Sequence, residues 1–179
     1  MDERNVSAEK WNEIYSQGGW FGGGSGLGSR LENNFDLINI LFDLIIKYEI
    51  KSIVDIGCGD LQWMPNLLKR CQIDNYTGVD CVDKLIKDHE NLYPEYTFLL
   101  KDLLSNDFEI EGEYDLLICK DILQHNYDMS WKFFDQINKI KANIKIIIEP
   151  EWIDVPLFYN FLELQKYKSD EIKTIFINS

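Results

Sequence analysis

The sequence predicts an α/β fold built on a mostly parallel sheet, and three observations carry that expectation. Short apolar, β-branched-rich runs recur at residues 52–56, 76–79, 96–100 and 144–148, with a fourth-in-order run starting at Tyr114. Stretches with apolar residues at helical spacing lie around them, at residues 7–15, 30–48 and 130–140. The first strand run, Ser52-Ile-Val-Asp-Ile-Gly-Cys-Gly-Asp60, ends in an acid and two alternating glycines, the form a strand takes where a ligand approaches its backbone.

In chain order, Ser7 suits a helix N-cap, Trp11, Ile14 and Tyr15 follow at helical spacing, and Gly18-Gly19 ends the helix. Residues 20–29, Trp-Phe-Gly-Gly-Gly-Ser-Gly-Leu-Gly-Ser, combine two large aromatics with flexible backbone, the composition of a lid. Ser29 and Glu32 fit a capping box, so the next helix is expected from Arg30 to about Tyr48, with Phe35, Ile38, Leu41, Phe42 and Ile45 inward. The amides at its N-terminus suit an anion. Ile53, Val54 and Ile56 suit a strand buried on both faces. The second strand ends at Asp80, about 20 residues past the glycines, where a carboxylate meets a ribose diol. A dinucleotide fingerprint needs a third glycine where this chain has Gln62, which makes an NAD-binding or nucleotide-sugar protein the weaker reading. Ser130 suits the cap of a helix carrying Phe133, Phe134, Ile137 and Ile140, and the fifth strand ends at Glu149-Pro150. Residues 157–164 and 172–177 form an expected antiparallel pair joined by a polar turn at 166–170.

Asp55-x-Gly57-x-Gly59 together with Asp80 resembles motif I and the second strand of the class I S-adenosylmethionine (SAM) methyltransferases. Lys101-Asp102-Leu103-Leu104 and the run from Tyr114 to Lys120-Asp121-Ile122-Leu123-Gln124-His125 look like that family's adenine-binding acid and motif IV. The resemblance implies a Rossmann-like single domain over 1–179, with a seven-stranded sheet in the order 3-2-1-4-5-7-6, strand 7 antiparallel, reduced at the C-terminus. Residues 1–29 would be the N-terminal helix and glycine-rich lid, and 30–179 the core. It implies SAM as cofactor, held by Asp55, Gly57, Cys58 and Gly59 around its methionine part, Asp80 and Cys81 at the ribose, and Asp102 and Leu103 at the adenine. Lys120, Ser29, Arg30 and Trp20 complete the expected set. One departure from the pattern is Leu61, which stands where the family usually has a third glycine. The N-terminal Ser-Gly-x-Gly-Ser stretch and the Leu-Gln-His ending of motif IV are similar to a small subset of the family, some of whose members accompany genes for surface-polysaccharide synthesis.

Methyl transfer from a sulfonium is an in-line displacement, and a hydroxyl acceptor also needs a base. His125 is the candidate, its ordinary pKa lying near working pH, and Asp121 either orients it or serves as the base. Asp60, Trp63, Gln124 and Glu149 stand at strand ends where a small polar substrate binds. The expected reaction is O-methylation of a sugar or glycan precursor; the alternatives are an N-methyltransferase on an amine or protein, and a non-catalytic SAM-binding subunit. A net charge of -13 disfavours a nucleic-acid partner, because phosphate contacts supply most non-specific affinity. Four cysteines without C-x-x-C spacing read as reduced thiols of a cytoplasmic protein, and two histidines are too few for a tetrahedral zinc site, so no metal is expected. No run of 18 apolar residues and no signal peptide are present, which predicts no membrane partner. The sequence sets no oligomeric state.

Overall fold

The structure, a computed structural model, describes residues 6–20, 23–153, 161–169 and 171–178. Among these, Ser52–Ile56 (β1), Asn75–Asp80 (β2), Thr97–Leu100 (β3), Tyr114–Lys120 (β4), Ala142–Pro150 (β5), Leu162–Lys168 (β6) and Ile172–Asn178 (β7) form one sheet. Its order is β3-β2-β1-β4-β5-β7-β6, parallel from β3 to β5 and antiparallel at β5/β7 and β6/β7, as the sequence predicts. In register, Asp55 lies between Gly78 and Ile118, and Lys120 lies beside Ile148, so the carboxyl ends of β1, β2, β4 and β5 meet at one edge.

Side chains alternate across β1, which divides the core into two layers. Ile53 faces Leu37, Leu41 and Ile45 of helix α2 (Phe35–Lys47) and Leu67 of helix α3 (Met64–Cys71), whose aliphatic side chains are buried. Val54 and Ile56 face Phe133, Phe134 and Ile137 of helix α5 (Ser130–Lys139) on the other side. Burying each such side chain contributes about 1.5–3 kcal/mol, so both faces of the central strands are committed to the interior. Helix α1 (Ala8–Ser16) is capped by Ser7 as expected, its side chain accepting from Lys10 N. Helix α4 (Asp83–Leu92) joins β2 to β3.

Three expectations are corrected. The capping box at Ser29 and Glu32 does not form, because Arg30 is extended and two short 3-10 turns, Leu27–Ser29 and Leu31–Asn33, come before the helix. α2 starts only at Phe35, and its N-cap, Asn34, turns its side chain back, donating to the carbonyls of Gly28 and Arg30. That later start rotates Phe35 outward to 57 % exposure and places Leu37 inside. Ser130 is the first helical residue of α5 rather than its cap, and makes no capping bond. The turn of the terminal pair is tighter than 166–170, since β6 runs on to Lys168; residues 157–160 of the expected strand lie outside the described ones.

Candidate functional site

At the carboxyl edge of the sheet lies a cavity of about 320 Å³. β1 delivers Gly57 and Gly59 to its floor at positive φ, +73° and +58°, a conformation that suits glycine. Their lack of a side chain answers to neighbours in the protein: a Cβ at Gly57 would stand 2.2 Å from Ile122 Cδ1, and one at Gly59 2.5 Å from Ser25 Oγ. Leu61, at the family's third glycine position, has φ +55°. The left-handed turn is therefore retained without glycine, at some strain, and the Leu61 side chain is buried in the core.

Two acids meet the glycine turn. Asp80 Oδ2 accepts from Gly59 N at 2.9 Å and Oδ1 from Val82 N at 3.0 Å; burial pushes its pKa up. Asp55, 4 % exposed within β1, accepts from the Tyr76 hydroxyl at 2.8 Å. Its burial, reinforced by the charge of Asp80 and opposed by Tyr76 and Lys120, pushes it up to about 7. Burial also raises the Cys58 thiol well above its ordinary value, which makes it an inert wall. Along the wall beyond β3, Asp102 Oδ1 accepts from Leu104 N at 2.8 Å.

The N-terminal segment roofs the cavity. Tyr15 and Ser25 hydroxyls are 2.6 Å apart; Ser25 Oγ accepts from Asp60 N, and Ser25 N donates to Asp60 Oδ2, both at 2.9 Å. Asn12 Nδ2 donates to the Cys81 carbonyl while its Oδ1 accepts from Asp83 N, docking α1 on the loop after β2. Trp11 and Trp20 hold the His125 ring edge to face, with centroids at 5.0 and 5.2 Å.

At the end of β4 a chain of charges crosses the site. Lys120 Nζ donates to the Gly28 carbonyl of the roof at 2.9 Å and to Asp121 Oδ2, and Lys173 Nζ, from β7, donates to Asp121 Oδ1 at 2.8 Å. Burial opposes the Asp121 charge, yet the two ammonium groups outweigh it and hold the carboxyl below its usual range. Asp121 itself sits at φ +60°. Glu149 lies beneath, fully buried, accepting from the amides of Ile122, Leu123 and Gln124. Burial and the nearby Asp121 charge push Glu149 up.

Of the residues singled out from the sequence, Trp20, Ser29, Asp55, Gly57, Cys58, Gly59, Trp63, Asp80, Cys81, Asp102, Leu103, Lys120, Asp121, Gln124 and His125 line the cavity. Arg30, Asp60 and Glu149 do not. Arg30 follows the first 3-10 turn with its guanidinium 4.0 Å from Glu32, Asp60 spends its carboxylate on Ser25 and Gln62, and Glu149 caps the turn after β4. The sequence reading missed Trp11, Tyr15, Ser25, Glu171 and Lys173, which also line it. The Ser25 signal was visible as the one hydroxyl inside the glycine run; no local pattern marks Lys173, since only the strand pairing brings it there.

The pattern of a methyltransferase domain matches residues 53–142, half of the chain. No curated protein sequence matches. Among solved structures, magnesium protoporphyrin IX methyltransferase from Synechocystis PCC 6803, with SAM bound, superposes with a TM-score of 0.66 at 14% identity, covering 99% of this chain and 96% of its own. The methyltransferase domain of bacterial CtHen1 gives 0.64 at 14% identity, covering 80% and 97%, and an rRNA methylase from Escherichia coli gives 0.60 at 17%, covering 82% and 64%. At these identities the likeness establishes the fold. With the sheet order, the glycine turn and the domain match in agreement, the chain belongs to the methyltransferase domain family and is a SAM-dependent methyltransferase of the class I fold.

Proposed function

We propose that the chain methylates a hydroxyl of a small polar acceptor, a sugar or a similarly hydroxylated metabolite. The observation that supports a small acceptor is the roof: α1 and residues 23–29 are bonded to the glycine loop and cover a cavity of about 320 Å³, at the low end for a ligand site, which cofactor and acceptor must share. The residues fit the cofactor. The Asp80 carboxylate accepts from the amides of Gly59 and Val82, with the Cys81 amide also bonding to it, and its remaining acceptor capacity suits a ribose hydroxyl. Asp102, with one oxygen on Leu104 N, retains the other for an adenine amino group. Asp55, Gly57, Cys58 and the Lys120 ammonium would hold the methionine part, and Trp20, Ser29, Cys81 and Leu103 would close around it. Arg30 has no role in this reading.

SAM supplies, when bound, a methyl group activated by a sulfonium. The chain's own task is alignment and proton removal. His125, its ring fixed by two indoles, would take the hydroxyl proton, while Gln124 and Trp63 would contact the acceptor. Asp121 is a poor base, because both its oxygens accept from ammonium groups; it would instead fix the two lysines in the wall. Net charge -13 supports a small acceptor over a nucleic acid, and thiols left free at all four cysteines suit the reducing cytoplasm. No helix among the described residues is long and apolar enough to cross a membrane. The test is incubation with methyl-labelled SAM and panels of free sugars, nucleotide sugars and small amines. Label on a sugar hydroxyl is expected; label on amines alone would overturn the reading.

A further inference from the structure

The proposed chemistry uses His125 and leaves the other histidine, His89, without a task. His89 lies on α4, 4 % exposed, with Nε2 at 2.7 Å from the carbonyl oxygen of Gly59. A carbonyl only accepts, so Nε2 carries a proton and donates; Nδ1 is buried with no hydrogen-bond partner. Leaving a buried polar nitrogen unpaired is unfavourable, and an apolar side chain would fill this space beside the Phe98 ring without that penalty. The bond to Gly59 is what the imidazole adds.

Gly59 is also held from its other side, since its N–H donates to Asp80 Oδ2 at 2.9 Å. One glycine thus receives at its carbonyl from α4 and gives at its amide to β2. With both sides of its Cα pinned, its φ of +58° is set, although a glycine is free to leave it. We propose that His89 is a positioning residue for the cofactor: by holding the Gly59 carbonyl it fixes the Gly59 amide, and through that amide it aims the Asp80 carboxylate at the ribose hydroxyls. This inference rests on the reading of Asp80 as the ribose ligand, and the experiment separates the two.

Calorimetry with S-adenosylhomocysteine is run on the wild type, His89→Phe, His89→Gln, Asp80→Ala and the double variant His89→Phe/Asp80→Ala. Removing the donor should raise Kd about tenfold, while glutamine, whose amide nitrogen donates from a similar reach, should stay within about threefold of wild type. In the Asp80→Ala background, His89→Phe should add less than about threefold, because its route is gone. Adenosine should lose affinity in His89→Phe, and 2′,3′-dideoxyadenosine should not. An unchanged Kd in His89→Phe, or an undiminished tenfold effect on top of Asp80→Ala, overturns the inference while leaving Asp80 in place. An unchanged Kd in Asp80→Ala instead removes the ribose reading, and the inference with it. Should His89→Phe not fold, ring 15N shifts of the wild type decide: the Nε2–H tautomer is expected with and without ligand, and the Nδ1–H tautomer overturns the proposal.

Discussion

At the scale of single residues, function here is a matter of which lone pairs remain after folding. Asp80 keeps acceptor capacity beyond its backbone bonds, and Asp80→Ala should weaken SAM binding by about 1–3 kcal/mol, measured by calorimetry, because the ribose hydroxyls then lose a partner. His125 comes from the turn after β4 rather than from the β1 and β2 ends that carry the cofactor acids, so His125→Ala should leave SAM affinity nearly intact and lower turnover by about 10²–10⁴, the range of a positioned base. Turnover within about threefold of wild type would pass the base role to another group. Gly57 and Gly59 were legible from their spacing, but the reason for them was not. A branched side chain in Gly57→Val would collide with Ile122 and force φ +73° on a residue that resists it, so the expected loss is of folding or loop geometry together with binding. That reason depends on Ile122, 65 residues away in the chain, and no local pattern contains it.

At the scale of elements, strands read well because burial on both faces writes itself into the sequence. The strand expected to run from Ser52 into the glycine turn is β1, Ser52–Ile56, whereas α2 begins five residues later than its capping signal suggests. The signal failed because Asn34 bonds back to the Gly28 and Arg30 carbonyls, and the backbone amides of Ser29, Arg30, Asn33 and Asn34 close two 3-10 turns instead. The terminal pair was expected, but its contribution to the site was not: β7 runs antiparallel to β5 and so starts at the carboxyl edge, which is what brings Lys173 to Asp121. The glycine-rich segment is a roof with identifiable fasteners, and these give a test. Tyr15→Phe removes the hydroxyl bonded to Ser25, and Asn12→Ala removes two bonds that dock α1. Each should speed limited proteolysis within residues 16–29, and S-adenosylhomocysteine should slow it in the wild type. Cleavage that neither substitution nor ligand changes would show that these bonds do not govern opening.

At the scale of the whole molecule, the chain carries a strongly acidic surface around a site whose deepest acids resist ionisation, and the two facts meet in its stability. Asp55 has an ordinary value of 3.8 and is pushed up to about 7 by burial in β1. Below about pH 4 it is neutral in both folded and unfolded chains and has no effect on the balance. Between about 4 and 7 the unfolded chain has released this proton and the folded chain retains it, so stability falls as pH rises through that window and levels off above it. The loss attached to Asp55 is on the order of 4 kcal/mol across the window, which for a chain of this size corresponds to a drop in Tm on the order of 10 °C. Glu149 acts in the same direction, while Asp115 and Asp121, held below their ordinary range, act in the opposite one, so the wild-type curve alone does not isolate Asp55. Asp55→Asn does, because asparagine still accepts from the Tyr76 hydroxyl and no longer titrates. Thermal unfolding from pH 5 to 8 should show the variant gaining on the wild type as pH rises to about 7 and the difference levelling off above it. Parallel curves would mean that Asp55 is already ionised in the folded protein at pH 5, its charge met by Lys120 more fully than burial opposes it.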